Sequence, residues 1–322
     1  MTDMHEENRP YLDSCPVGCL SPLVPTDIIL AEGPLLRCPG CGQLVSQCSG
    51  ERYRQYMAEF DDPRGTLPGP DSMARYTQRT RKCLAGIARS LQRPPQEIHL
   101  LDVGCSTGAF ITVAHRMGFV AEGVEPAPQA ARSAQAAGLR VHQGLLKEIA
   151  FPDQAFDAVT LFEVIEHVRE ILPLFRECRR ILRPEGLLVI GTGNADSWAA
   201  SFMASRWEYF HIERHGGHVS FFNPLSIRLL AERSGFQIDS LKTRSMRFYE
   251  KGDVHPIVYR LAKIASELLN LPSQLFGKGH DMLVFLRRLQ EAVEKVADPG
   301  CSKMSGCKAP EILSREAYLF VR

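Results

Sequence analysis

The chain has 322 residues, 44% of them hydrophobic and 23% charged, with a formal net charge of +1. That length and composition fit one large domain with additions and a sizeable core. The near-neutral balance excludes a global basic field of the kind drawn to nucleic acid or anionic membrane. The opening residues, MTDMHEENRPYLD, lack the basic start and apolar run of a signal peptide, and no apolar run reaches the length of a membrane span. A cytoplasmic protein is expected.

Ten cysteines in a long chain without an export signal are expected to be thiols or metal ligands rather than disulfides. Five of them fall between Cys15 and Cys48. "CPVGC" supplies Cys15 and Cys19, and "RCPGCG" supplies Cys38 and Cys41. Two close pairs about twenty residues apart fit a tetrahedral zinc ribbon with a closed, structural site. The first pair is one residue longer than usual, so Cys48 is a candidate substitute ligand. A short segment of this kind has little core, and zinc would supply its folding energy.

The segment 61–72, "DDPRGTLPGPDS", reads as a linker with three prolines and two glycines. A basic helix is predicted from Ser72 to about Leu91, ended by Pro94-Pro95. An alternation follows: strand Ile98–Val103, helix Ala109–Met117, strand 119–125, helix 126–138, strand 139–144, strand 156–163, helix 172–182 and strand 186–192. The strands are continuously apolar, which predicts a parallel sheet covered on both faces. A helix over 223–235 and a strand over 236–246 come next. Residues 254–270 and about 281–297 have helical apolar spacing, although "DMLVFLR", 281–287, also reads as a strand. Residues 298–310 read as a loop, and "EAYLFVR" at the end of the chain reads as a closing strand. The expected division is a zinc-ribbon-like module at 1–60, linker and helix at 61–94, a cofactor-binding core at 95–250, and a helical insertion with closing strand at 251–322.

The strand Ile98–Val103 ends in an acid, Asp102, and runs into Gly104, Cys105, Ser106, Thr107 and Gly108. Ligands of parallel sheets lie at the carboxyl ends of strands, and glycines let the backbone approach them. The dinucleotide pattern G-x-G-x-x-G matches only weakly here, because Ser106 stands where it needs glycine although Ala109 supplies the small residue, and it leaves Asp102 unexplained. The pattern D-x-G-x-x-x-G instead resembles motif I of class I S-adenosylmethionine-dependent methyltransferases, with Ser106 replacing the usual middle glycine. Together with "GVEPAP", "FDAVTLFEVIEHV" and "RRILRPEGLLVIGTGN", the resemblance covers about residues 95–240.

It implies a Rossmann-like, doubly wound α/β sheet, here with a small N-terminal zinc ribbon and helical C-terminal additions. Asp102 would hold the ammonium group of S-adenosylmethionine, and Glu125 would accept two hydrogen bonds from its ribose. Leu145 stands where many members place an acid beside the adenine, leaving backbone groups and apolar contact to recognise the base. The implied cofactor shell is Asp102, Gly104, Cys105, Ser106, Gly108, Phe110, Glu125, Pro126, Leu145 and Phe162.

"EVIEH" places Glu163, Glu166 and His167 after the fourth strand, and His211, His215 and His218 follow the fifth. The spacing of Glu163, Glu166, His167 and a distant His218 resembles coenzyme Q-type and small-RNA 2′-O-methyltransferases. There such residues hold a divalent ion, magnesium for example, on the acceptor oxygen. Two other readings stand beside it: His167 or His218 as a metal-free general base, and a structural role capping a helix or lining the cofactor pocket. Trp207, Tyr209, Phe210, Phe221 and Phe222 line either an acceptor pocket or a packed lid. The helical segments near the end serve as a lid or core, with a membrane-surface face disfavoured because no strongly basic face accompanies them.

The function expected first is methyl transfer to a hydroxyl of a small molecule or glycan. An RNA methyltransferase is the rival, supported by Arg52, Arg54, Arg75, Arg79, Arg81 and Lys82 with interleaved tyrosines and opposed by the neutral charge. A non-catalytic binding protein with the same fold is the third, opposed by the presence of Asp102 and Glu125.

Overall fold

The computed structural model describes residues 10–60, 70–212, 217–249 and 254–290. The N-terminal segment forms strands β1 (Val24–Leu30), β2 (Gly33–Arg37) and β3 (Leu44–Val45), then helices α1 (Gly50–Phe60) and α2 (Pro70–Leu91). The alternation follows as β4 (His99–Val103), α3 (Ala109–Arg116), β5 (Val120–Glu125), α4 (Pro128–Ala136), β6 (Val141–Gln143), α5 (Leu146–Ile149), β7 (Phe156–Phe162), α6 (Ile171–Ile181) and β8 (Leu182–Gly193). The chain then forms α7 (Trp198–Met203), β9 (Ser220–Phe221), α8 (Pro224–Arg233), β10 (Phe236–Arg244), α9 (Pro256–Leu275) and β11 (Asp281–Arg288). Helices α4, α8 and α9 each open on a proline, where its missing N–H costs nothing.

Seven strands make the main sheet in the order β10-β11-β8-β7-β4-β5-β6. Strands β8, β7, β4, β5 and β6 are parallel neighbours, and β11 runs antiparallel between β8 and β10. Period-two alternation divides the apolar strands between two cores. Leu101, Val159, Leu161, Leu188 and Ile190 pack with Phe175 and Ile181 of α6 and with Ile227 and Leu230 of α8. Leu100, Ala158, Leu187 and Val189 pack on the other face with Leu84 and Ile87 of α2 and with Phe110 and Ile111 of α3. Both faces are covered, so the strands read as unbroken apolar runs.

Several expectations change. Asp281–Arg288 is the strand that fills the gap between β8 and β10, so the helical reading of 281–297 fails from its start. The segments 291–297 and 298–310 and the expected closing strand at 316–322 lie outside the described residues, as does most of the linker. Helix α9 reaches Leu275, and its apolar stripe is not core. Ile257, Leu261, Ile264, Leu268, Leu271 and Leu275 are exposed, while Ser266 and Ser273 face inward.

The 1–60 module is not free-standing either. Its sheet has the order β1-β2-β3-β9, completed by a strand from beyond the fifth parallel strand. Cys15, Val17, Cys38 and Cys41 belong to the same apolar cluster as Phe175 and Ile227.

Asp157 ties three pieces of the main sheet together at the start of β7. It is buried and accepts from the His99 N–H at 2.8 Å, from Arg93 at 2.6 Å and from Arg183 at 2.6 Å. Burial raises its pKa, but those hydrogen bonds and the two arginine charges outweigh burial and hold the carboxyl below its ordinary range. A lowered folded pKa contributes stability that is present above the unfolded value near 4 and is lost as pH falls through the folded one. Asp157→Asn is expected to cost about 1–3 kcal/mol at pH 7 and progressively less towards pH 3. Urea unfolding at the two pH values measures this.

Candidate active site

The turn after β4 is a run of left-handed backbone. Gly104 has φ +74°, Ser106 +49° and Gly108 +80°. A Cβ on Gly104 would meet Val164 Cγ2 at 2.6 Å, and one on Gly108 would run into Leu139 Cδ1. Both the conformation and the close approach demand glycine at these two positions. Glu125, the last residue of β5, fastens this turn. Its buried carboxylate accepts from the backbone N–H of Ser106 at 2.7 Å and of Ala127 at 2.8 Å. One carboxylate thus fixes both the glycine turn and the approach to α4.

Asp102 is buried, with Thr160 Oγ1 donating to it at 2.6 Å. Burial, reinforced by the charge on Glu125 and opposed by the Thr160 hydrogen bond, pushes its carboxyl up to about 7. An arriving ammonium group would restore the ionised form.

Asp102, Gly104, Ser106, Gly108 and Glu125 thus surround one turn, with Pro126 exposed beside it. Leu145 follows β6 and is 46% exposed, available for apolar contact. Cys105 is buried under the turn against Gly123. Phe110 is in the core, its ring 5.0 Å from that of the half-buried Phe162.

A second cluster lies at the end of β7. Glu163 follows the strand with φ +53°, and a single 3-10 turn, Ile165–His167, carries Glu166 inward. His218 arrives on the loop before β9. Ligand atoms of Glu163, Glu166 and His218 all lie within 4.8 Å of one another. Thr192 donates to Glu166 Oε1 at 3.0 Å, and Glu166 Oε2 is buried with no hydrogen-bond partner. The Tyr209 hydroxyl donates to Glu163 Oε1 at 3.0 Å. His218 Nδ1 lies 3.0 Å from the carbonyl oxygen of Tyr209, which can only accept. The proton is therefore assigned to Nδ1, and in the neutral ring Nε2 keeps its lone pair.

Burial pushes the Glu166 carboxyl up to about 7. Glu163 keeps solvent access, yet desolvation by the surrounding protein and the charges of Glu166 and Asp281 hold its carboxyl well above the usual range.

His167 is not in this donor set; its ring sits edge-on to His218 at 4.8 Å. His211 is half-buried and outside the set, and His215 lies outside the described residues. Trp207, Phe210, Phe221 and Phe222 are core, whereas Tyr209 reaches Glu163. Sequence reasoning missed Thr192 and Asp281, which approach from β8 and β11 without any local motif. It also missed a polar cavity of about 280 Å³, whose walls include Arg79, Tyr249, Tyr259, Lys263 and Asp281. Asp281, in its wall, also bears electrostatically on Glu163.

The four expected thiols also converge. Sγ atoms of Cys15, Cys19, Cys38 and Cys41 lie within 4.8 Å of one another, and Cys15 and Cys41 approach to 3.5 Å. A tetrahedral zinc site needs sulfur–sulfur distances of about 3.8 Å. Gly18, at φ +85°, turns the longer first knuckle back so that Cys19 reaches the group. Cys48 stands apart, its thiol directed at the Ser49 carbonyl, and is not a substitute ligand.

A family described as a methyltransferase domain matches residues 73–241. The chain belongs to this family, that of class I S-adenosylmethionine-dependent methyltransferases. It is similar to the ubiquinone biosynthesis O-methyltransferase of Azorhizobium caulinodans, 32% identical over 164 residues, which are 48% of this chain and 64% of that protein. It is also similar to the protein of the same name from Cereibacter sphaeroides, 29% identical over 168 residues, 48% of this chain and 68% of that one. The match thus spans a little under two thirds of the Azorhizobium protein. Among solved structures, a SAM-dependent methyltransferase from Archaeoglobus fulgidus aligns with TM-score 0.47 at 17% identity, covering 65% of this chain and 94% of that one.

Two outcomes are expected at the cofactor turn. Glu125→Ala frees the Ser106 and Ala127 N–H groups from their shared partner, and calorimetry should show S-adenosylmethionine affinity reduced at least tenfold. Asp102 works against the ligand-free fold: its raised pKa contributes stability below about pH 4 that is lost as pH rises through 7. Asp102→Asn should therefore stabilise the ligand-free protein at pH 8 by roughly 2–4 kcal/mol, leave it little changed at pH 4, and abolish cofactor binding. Thermal and denaturant unfolding at both pH values, beside calorimetry, check this.

Proposed function

We propose that this protein transfers a methyl group from S-adenosylmethionine to a hydroxyl oxygen of a small molecule. The observation that carries this reading is the convergence of Glu163, Glu166 and His218 beside the motif I turn. When bound, the cofactor supplies a sulfonium-activated methyl group. Asp102 neutralises its ammonium group, Glu125 receives its ribose hydroxyls, and Leu145 offers apolar contact to its base.

On the acceptor side, Glu163, Glu166 and His218 fit a divalent cation such as magnesium. Their ligand atoms lie within 4.8 Å of one another, and Glu166 Oε2 is buried without a hydrogen-bond partner. Such an ion would lower the acceptor hydroxyl's pKa and orient it towards the methyl group. Each of the three is itself oriented by a hydrogen bond: Glu166 by the Thr192 hydroxyl, Glu163 by the Tyr209 hydroxyl, and His218 by the Tyr209 carbonyl. The cavity beside Asp281 is the acceptor's entrance, with Tyr249 and Tyr259 for apolar contact. The four N-terminal cysteines bind one structural zinc ion.

The ubiquinone-named relatives support a small hydroxylated acceptor over a glycan. RNA is a poorer fit, because two of the three tyrosines among the basic residues are used internally, although Tyr76 is exposed. Tyr53 donates to the His167 carbonyl at 2.7 Å, and Tyr56 is buried and accepts from Arg52. Among the described residues, no helix is long and apolar enough to cross a membrane.

Glu166→Gln is expected to lower kcat at least a hundredfold on a catechol acceptor while S-adenosylmethionine affinity stays within twofold. In wild type, added magnesium should raise the rate. The rate should climb through pH 7 as Glu166 ionises, and magnesium should shift that rise to lower pH because it favours the charged carboxylate. A rate indifferent to both magnesium and a chelator would remove the metal from this reading and leave His218 as the base.

A further inference from the structure

The cysteine cluster and the carboxylate–histidine cluster are linked by a short run of backbone. Cys41 ends the second knuckle, and β3 follows three residues later. It pairs with β9 as Leu44 to Phe221 and Val45 to Ser220. One residue on, the Ser46 N–H donates to the Val219 carbonyl at 2.9 Å. The Val219 N–H in turn donates to the Glu166 carbonyl at 2.9 Å. Val219 is the neighbour of His218, and its backbone is held from both sides: its N–H by the Glu166 carbonyl and its carbonyl by the knuckle-bearing segment. Its side chain is fully buried beside Val45 and Ile212. Asn223, which caps α8, also donates to the Cys41 carbonyl at 3.1 Å.

From the far side, Arg233 of α8 donates to the Val17 carbonyl at 2.6 Å and to Cys19 Sγ at 3.4 Å. The knuckles are therefore tied to the segment 218–223 and to α8, but no described hydrogen bond ties them to the turn at 104–108.

We propose that zinc at Cys15, Cys19, Cys38 and Cys41 positions His218 against Glu166, so that metal occupancy of the knuckles governs the acceptor half of the site and leaves the cofactor half intact. This rests on the reading of the four thiols as zinc ligands and of His218 as an acceptor-side residue. The physical basis is that four thiols on two loops converge without a disulfide between them, so a bound metal fixes the position of the loops relative to one another. The only strand it offers to β9 is two residues long. Without zinc, β3 and the Ser46 N–H lose their fixed position, and Val219, next to His218, loses one of its two backbone anchors. Cys48, outside the cluster, does not replace a missing ligand.

The test uses the full chain, uniformly 15N-labelled at histidine, purified with zinc, stripped by a chelator under reducing conditions, and reloaded with one equivalent of zinc. Imidazole 15N resonances report the His218 tautomer, assigned by their absence in His218→Gln. S-adenosylmethionine calorimetry reports the cofactor half.

The expected result is one zinc per chain and a fixed Nδ1–H signature for His218 in the loaded protein. On stripping, that signature is lost to averaging while S-adenosylmethionine affinity stays within threefold, and reloading restores it. Ser46→Pro, which retains all four thiols but removes the N–H donated to Val219, should reproduce the loss with zinc still bound. An unchanged His218 signature in the stripped protein would overturn the proposal. So would parallel loss of the His218 signature and cofactor binding, which would make zinc a global stabiliser. A chain that purifies without zinc and takes up none would overturn it together with the zinc assignment. If no acceptor is ever methylated, the nuclear resonance readout still decides the positioning claim separately.

Discussion

The structure is organised around acids placed where water is scarce. Asp102, Glu125 and Glu166 are all buried, and each sits at or just beyond the carboxyl end of a parallel strand. A buried carboxylate must be paired, hydrogen-bonded or protonated. The three resolve this differently. Glu125 is satisfied by two backbone N–H groups and so becomes a structural fastener. Asp102 has one hydroxyl partner, and burial holds its carboxyl above the ordinary range. Glu166 has one oxygen served by Thr192 and one left without a partner. The parallel sheet is what makes this possible, because it gathers several strand ends on one edge while helices exclude solvent from both faces.

The cofactor turn was legible because its constraint is local. Positive φ and close backbone approach act on neighbouring residues, so "DVGCSTG" carries its own explanation. The carboxylate–histidine cluster was legible only through family resemblance. Glu166 and His218 are far apart in sequence, and nothing in the spacing alone brings them together. Thr192 and Asp281 were invisible for the same reason.

Periodicity failed in two instructive places. "DMLVFLR" has no apolar period, so only the vacancy between β8 and β10 makes it a strand. The spacing over 256–275 identified a helix but not its orientation, and the apolar stripe faces outward while two serines face the protein. The hairpin of β1 and β2 was missed because prolines interrupt both strands.

The N-terminal segment shows how an addition becomes part of a catalytic scaffold. Its thiols share the apolar cluster of α6 and α8, and Tyr53 reaches the backbone of His167. Substituting this segment is thus a change to the walls around the carboxyl cluster rather than to a detachable appendage.

The join between the two sheets has an evolutionary corollary. Strands β3 and β9 are two residues each, so a single inserted or deleted residue on either side of the pair would exchange inward- and outward-facing side chains. Longer strands can absorb such an error by sliding, but a two-rung ladder has nowhere to slide. The spacings from Cys41 to Leu44 and from His218 to Ser220 should therefore be fixed in length across descendants of this protein, even where the residues between them drift.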